Sequence, residues 1–135
     1  MALMTWNNSY SVGVQSLDKE HAALFEILNG LYDAMKKGQA QVVTGPLLNK
    51  LVDYTRRHFA TEEAIMTNTR FPKLAEHRTE HHSLIKQVEQ FVSRFERGDV
   101  MLSIDLFNFL RDWLSTHILK MDKGYSFWMN EHGIR

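Results

Sequence analysis

The sequence of 135 residues has no cysteine, only two prolines, no excess of either charge and no long apolar run. The missing thiols exclude disulfides, thiolate nucleophiles and sulfur-ligated metal sites, so a metal here would be held by nitrogen and oxygen. Sixteen Lys and Arg balance sixteen Asp and Glu along the chain. With no basic face to neutralise phosphates or acidic lipid, no nucleic-acid partner is expected. No apolar stretch approaches membrane-spanning length, and "MALMTWNNSYSVGV" has no Lys or Arg ahead of an apolar core. Neither a membrane segment nor a secretory signal is therefore read, and a cytoplasmic protein is expected. A chain of this length suits one compact domain that buries roughly two-thirds of its unfolded surface.

Scarce proline leaves room for long helices, and apolar residues recur at spacings of three and four through four segments. The spacing predicts helices from about Asp18 to Lys37, Gln41 to Met66, Pro72 to just before Gly98, and Leu102 to Asp122. Their inward stripes are Leu17, Leu24, Phe25, Leu28, Leu31 and Met35; Leu48, Leu51, Thr55, His58, Glu62 and Ile65; Leu74, Ile85, Val88, Phe91, Val92 and Phe95; and Phe107, Leu110, Leu114, Ile118 and Met121. Gly38, Gly98 and Gly124 are the expected stops, and Pro46 and Pro72 are expected in the first turns of the second and third helices. Short connections make consecutive helices antiparallel, which predicts an all-α, up-down-up-down four-helix bundle over residues 17–122. An N-terminal arm, 1–16, with Trp6 and Tyr10, and a tail, 123–135, with "GYSFWM", are expected to pack over its ends, and "NEHGIR" to fray.

The stripes carry polar residues that an ordinary core would not choose. His58 and Glu62 are four apart, as are His77 and His81, and helical residues at that spacing differ by only about 40° around the axis. His21 shares the face of Leu24, Phe25 and Leu28, and His117 that of Leu114, Ile118 and Met121. A lone inward histidine is usually a core residue bonded to a carbonyl. Four imidazole-bearing stripes in one core differ, because each unpartnered buried polar group costs roughly 1–3 kcal/mol, and a metal centre would satisfy them together. His82 lies about 140° round the helix from His77 and is expected in solvent. His132, in the tail, is expected there too. Asp122 also lies about 140° from His117, so spacing alone does not select it; a surface aspartate and a ligand carried inward by a distorted last turn both remain open.

The joint pattern, His21, then His58-Phe-Ala-Thr-Glu62, then His77-Arg-Thr-Glu-His81, then His117-Ile-Leu-Lys-Met-Asp122, resembles the hemerythrins, particularly the bacterial ones. The likeness spans nearly the whole chain. It implies a non-haem centre of two Fe ions with a bridging oxo or hydroxo group that binds O2 reversibly. By that resemblance His77, His81 and His117 would hold one six-coordinate iron, and His21 and His58 the other, which keeps an open position. Glu62 and Asp122 would bridge both. Leu24, Trp113, Leu114 and Ile118 would neighbour the open position as an O2 pocket.

Five imidazoles and two carboxylates suit ferrous and ferric iron. If O2 takes one electron from each iron together with the bridge proton, the net charge of the site does not change, which favours reversal in an apolar cavity. Oxygen-activating bundles carry a more carboxylate-rich set with Glu-x-x-His motifs, and none here ends on a candidate ligand. Oxygen storage, delivery or scavenging is therefore expected ahead of an O2 or redox sensor, or of a di-iron oxidase, peroxidase or nitric-oxide-processing enzyme. The expected partners are O2 and an O2-consuming protein, and the expected state is a monomer.

Overall fold

A computed structural model describes residues 5–36, 40–97 and 104–135, apart from the side chains of residues 35, 40–45, 95 and 104–107. Expectations for Lys37, Gly38, Gly98 and Leu102, and for the side chains of Met35, Phe95 and Phe107, lie outside the described residues. Four long helices, α1 (Gln15–Lys36), α2 (Ala40–Asn68), α3 (Leu74–Glu96) and α4 (Ile104–Lys120), run up, down, up and down around one core. A 3-10 turn (Asp122–Tyr125) and a short helix, α5 (Ser126–Glu131), follow. Among the described residues no helix is long and apolar enough to cross a membrane.

The inward stripes form the core as the period requires. Leu17, Leu24, Phe25, Leu28 and Leu31 of α1 face Leu48 and Leu51 of α2, Val88 of α3 and Leu110, Leu114 and Ile118 of α4, all buried. Thr55 is buried at no polar cost, because its hydroxyl donates to Leu51 O at 2.6 Å.

Several boundaries differ from the sequence expectation. Helix α1 begins at Gln15, inside the expected arm, where Asp18 accepts from Val12 N (2.8 Å) and the Ser11 hydroxyl (2.6 Å). That carboxylate ties the arm to the first turn, where the helix dipole favours negative charge. Pro46 lies inside α2, beyond the first turn expected for it, because the helix starts at Ala40. Pro72 precedes α3, which begins at Leu74. The turn ahead of it closes on Arg70, a non-glycine residue at φ 57°. Phe71 N donates to Met66 O (2.9 Å) and Arg70 N to Thr67 O (3.2 Å), the paired bonds of a Schellman motif.

The tail is folded and not frayed. Tyr125 and Met129 are buried, the Trp128 indole donates to Thr69 O at 3.1 Å, and Asn130 Nδ2 donates to Gly13 O (2.9 Å) and Ile134 O (2.8 Å). Gly13, at φ 73°, permits this approach: a Cβ there would meet Ser126 Oγ at 2.7 Å. Arm and tail thus clasp each other over the end of the bundle that holds Asp122.

Candidate metal centre

The seven inward polar residues converge at one level of the bundle and are all buried: His21 on α1, His58 and Glu62 on α2, His77 and His81 on α3, His117 on α4 and Asp122 just beyond it. Asp122 reaches the core because α4 stops at Lys120 and the chain tightens into a 3-10 turn, which brings Asp122 round from the surface position of an ideal helix. The fourth helix is therefore shorter than expected, and Gly124 lies within the 3-10 turn that follows it.

The two carboxylates divide their oxygens between two groups of imidazoles. Glu62 turns Oε1 to His81 Nε2 (3.2 Å) and Oε2 to His21 Nε2 and His58 Nε2 (each 3.4 Å). Asp122 turns Oδ1 to His77 Nε2 (2.9 Å) and His117 Nε2 (3.1 Å), and Oδ2 to His21 Nε2 (3.0 Å). One group joins His77, His81 and His117 with both carboxylates, and the other joins His21 and His58 with the same two; within each, the candidate ligand atoms lie within 4.8 Å of one another.

Two further carboxylates set the tautomers. Glu20 Oε1 lies 2.6 Å from His58 Nδ1, and Glu63 Oε2 lies 2.8 Å from His81 Nδ1. A carboxylate only accepts, so each Nδ1 carries hydrogen and each neutral ring presents the lone pair of Nε2 inward. With the rings neutral, lone pairs of nitrogen and oxygen face each other across the centre, an arrangement that a metal cation would satisfy. Eight of the nine buried side-chain polar atoms without a hydrogen-bond partner among the described residues belong to the candidate ligands; the ninth is Trp113 Nε1. The donor set fits a pair of borderline metal ions such as iron.

Glu20, Glu63 and Tyr125 were not legible as site residues. Tyr125 donates to Glu62 Oε2 at 2.6 Å from within the tail, 63 positions away, and Glu20 meets His58 across 38 positions. Phe59, which no inward stripe included, stacks on His81 with ring centroids 3.7 Å apart and planes 2° from parallel. The Arg78 guanidinium donates to Glu63 Oε1 and Thr67 Oγ1, extending the His81 arrangement to the surface. His82 is exposed, as its helical phase predicts. His132 caps Trp128 O with Nδ1 at 2.8 Å, away from the cluster. Leu24, Leu114 and Ile118 are sealed in the core, while Trp113 lines a groove of about 400 Å³ between α3 and α4 that reaches His117.

Without metal, protons hold these groups together. Burial opposes charge on His58, yet Glu62 and Glu20 outweigh it and its pKa is pushed up to about 10. His21 is raised against burial by Asp122 and Glu62. Burial also opposes ionisation of Glu62, but His58, His21 and His81 hold it well below 4.5. Asp122 is lowered, against burial and the Glu62 charge, by His117 and His21. The His58 contribution to stability is complete below the unfolded value of 6.5 and is lost as pH rises through about 10. The Glu62 contribution is complete above 4.5 and is lost as pH falls through its lower folded value. The metal-free protein is therefore expected to melt highest between pH 4.5 and 6.5 and progressively lower toward pH 10. Adding metal near pH 6 should release protons, since ligation takes neutral imidazole. Calorimetry across pH and an indicator titration check both; a melting temperature that rises from pH 7 to 10 would contradict this balance.

A helical bundle with five histidines and two shared carboxylates in two overlapping groups defines a class, the helical bundles with a buried cluster able to hold metal. Residues 12–126 match the family of the hemerythrin HHE cation binding domain, and the chain belongs to that family. It is 34% identical over 132 residues to the bacteriohemerythrin of Stenotrophomonas maltophilia, covering 98% of this chain and 85% of that one. It is 34% identical over 126 residues to that of Methylococcus capsulatus, covering 93% and 95%. The fold is similar to the crystal structure of a wild-type hemerythrin, with a TM-score of 0.88 and 32% identity over 94% of this chain and 98% of the other.

Proposed function

We propose that the chain binds O2 reversibly at a non-haem di-iron centre, as a carrier for storage, delivery or scavenging and not as an enzyme. The observation that carries this reading is the division of both carboxylates between a group of three histidines and a group of two. His77, His81 and His117 would hold one iron, His21 and His58 the other, and Glu62 and Asp122 both. The smaller histidine group would leave the position for O2. When bound there, an iron pair would supply reversible two-electron chemistry to O2, one electron from each metal.

The residues of this chain prepare that exchange. Glu20 and Glu63 hold the Nδ1 hydrogens of His58 and His81, so Nε2 of each is directed into the cluster and would meet a metal there without rotation of the ring. Tyr125 holds a hydrogen on Glu62 Oε2 and fixes the angle of that carboxylate. Leu24, Leu114 and Ile118, all buried, would keep water from the open position.

Iron quantified on the same sample as an absorption spectrum, in air and after anaerobic reduction, tests the reading. Two irons per chain and a spectrum that appears with O2 and disappears on its removal are expected. Saturation at one metal per chain, or a preference for zinc under iron-replete expression, would overturn it.

Leu114 provides a sharper test of water exclusion. It is buried, three positions ahead of His117 and thus about 60° away around α4. Leu114→Ala should cost roughly 2–5 kcal/mol through the cavity it leaves, while opening a way for solvent. Iron content should hold and O2 should still bind, but decay of the oxygenated spectrum to the ferric form should be faster than in the wild type. Stopped-flow mixing measures both phases; an unchanged decay would make Leu114 an ordinary core residue.

A further inference from the structure

The N-terminal arm places two oxidisable rings on the outer side of His21. The Trp6 ring lies 6.5 Å from that of His21, centroid to centroid, tilted by 36°. Tyr10 stacks on Trp6 at 5.8 Å and 30°. Phe25 braces both edge-on, at 5.4 Å and 4.9 Å. His21 is fully buried while Trp6 and Tyr10 are half-buried, so the stacked pair connects this candidate ligand to the protein surface.

Closing the core over His21 requires apolar area, which phenylalanine or leucine would supply as well. Indole and phenol add a property those lack, since both give up an electron and a proton to a strong oxidant. The chain has no cysteine to do this instead. Of the other rings beside candidate ligands among the described residues, Phe59 is too hard to oxidise, and the two oxidisable ones, Tyr125 on Glu62 and Trp113 in the groove that reaches His117, are buried.

We propose that Trp6 and Tyr10 form an electron relay between His21 and solvent, through which stray hydrogen peroxide is reduced at the centre, as a protective side reaction of the carrier, with electrons drawn from the arm. The relay rests on the di-iron reading above. In one event the O–O bond of peroxide breaks, Trp6 loses the electron and proton of its indole N–H, and Tyr10 loses those of its phenol O–H. The two electrons and two protons complete two waters, and the ferric pair ends as it began. A soluble one-electron donor of the ascorbate class then restores each ring with one electron and one proton. The oxidising equivalents thereby leave the core before they reach the ligand histidines.

The test uses the full, iron-loaded chain in its ferric state, mixed with hydrogen peroxide and freeze-quenched for electron paramagnetic resonance, with ring-deuterated tyrosine to identify a tyrosyl signal. The wild type should give a tyrosyl radical that is lost in Tyr10→Phe and in Trp6→Phe, both of which retain a packed ring and their iron. Peptide mapping should then show oxidation moved onto His21 in Trp6→Phe. A radical of undiminished yield in Trp6→Phe, one that persists in Tyr10→Phe, or none in iron-replete wild type would overturn the relay. Iron content and the O2 spectrum on the same samples separate the two ideas. Two irons and an O2 spectrum without an arm radical defeat the relay alone, whereas fewer than two irons in the wild type defeat both.

Discussion

Glu62→Ala is expected to reduce the iron content from two per chain to one or none and to abolish the spectrum of the coupled pair. Glu62 is the one carboxylate that faces His81 on one side and His21 and His58 on the other, at 3.2 and 3.4 Å. Its removal would take a candidate ligand from both proposed metal positions at once. It also strands neighbours: His58 owes its raised pKa first to Glu62 among the groups that favour its charge, and Tyr125 loses its hydrogen-bond acceptor. Breaking a buried charge pair from one side typically costs about 3–5 kcal/mol, so the metal-free variant should also melt well below the wild type. Glu62→Gln, which keeps the volume and one acceptor oxygen, separates the two effects: near-wild-type packing with impaired iron binding is expected. Iron analysis beside thermal melting measures both. Two irons retained in Glu62→Ala would show that the carboxylate does not bridge.

His81→Ala and His82→Ala should differ almost completely although the residues are adjacent. The structure buries His81 between Glu62, Glu63 and the face of Phe59, and leaves His82 exposed. Loss of His81 should lower iron content and remove the O2 spectrum. It also leaves Glu63 without its histidine partner. Loss of His82 should leave iron, spectrum and stability within about 0.5 kcal/mol of wild type, the usual range for an exposed substitution. The reverse result would mean that α3 is rotated by one residue from the phase described.

That contrast marks what could be read without a structure. Helical phase is local: every 100° step is dictated by the chain itself, so the apolar stripes, the inward histidines and the outward His82 follow from spacing. The same holds for the antiparallel order, because connections of a few residues allow no other. Element ends are less legible, since they depend on particular hydrogen bonds. Arg70 closes α2 in a conformation for which glycine would be the usual sign, and Pro46 lies inside a helix where a break or a first turn would be read.

The amino-acid sequence by itself determined the class of chemistry: nitrogen and oxygen ligands only, one or two on each of four helices, all facing one core. Tertiary structure decided the rest. Asp122 enters the site because the chain leaves α-helical geometry after Lys120 and tightens into a 3-10 turn, a change that no periodicity encodes. Glu20, Glu63 and Tyr125 acquire their roles only when α1 meets α2, α2 meets α3 and the tail folds back over Glu62. On their own helices Glu20 and Glu63 are polar residues beside a ligand, and nothing within a few positions specifies their partners. A contact of that kind forms between surfaces brought together by packing, so its partner is chosen by the fold and not by the neighbouring residues in the chain.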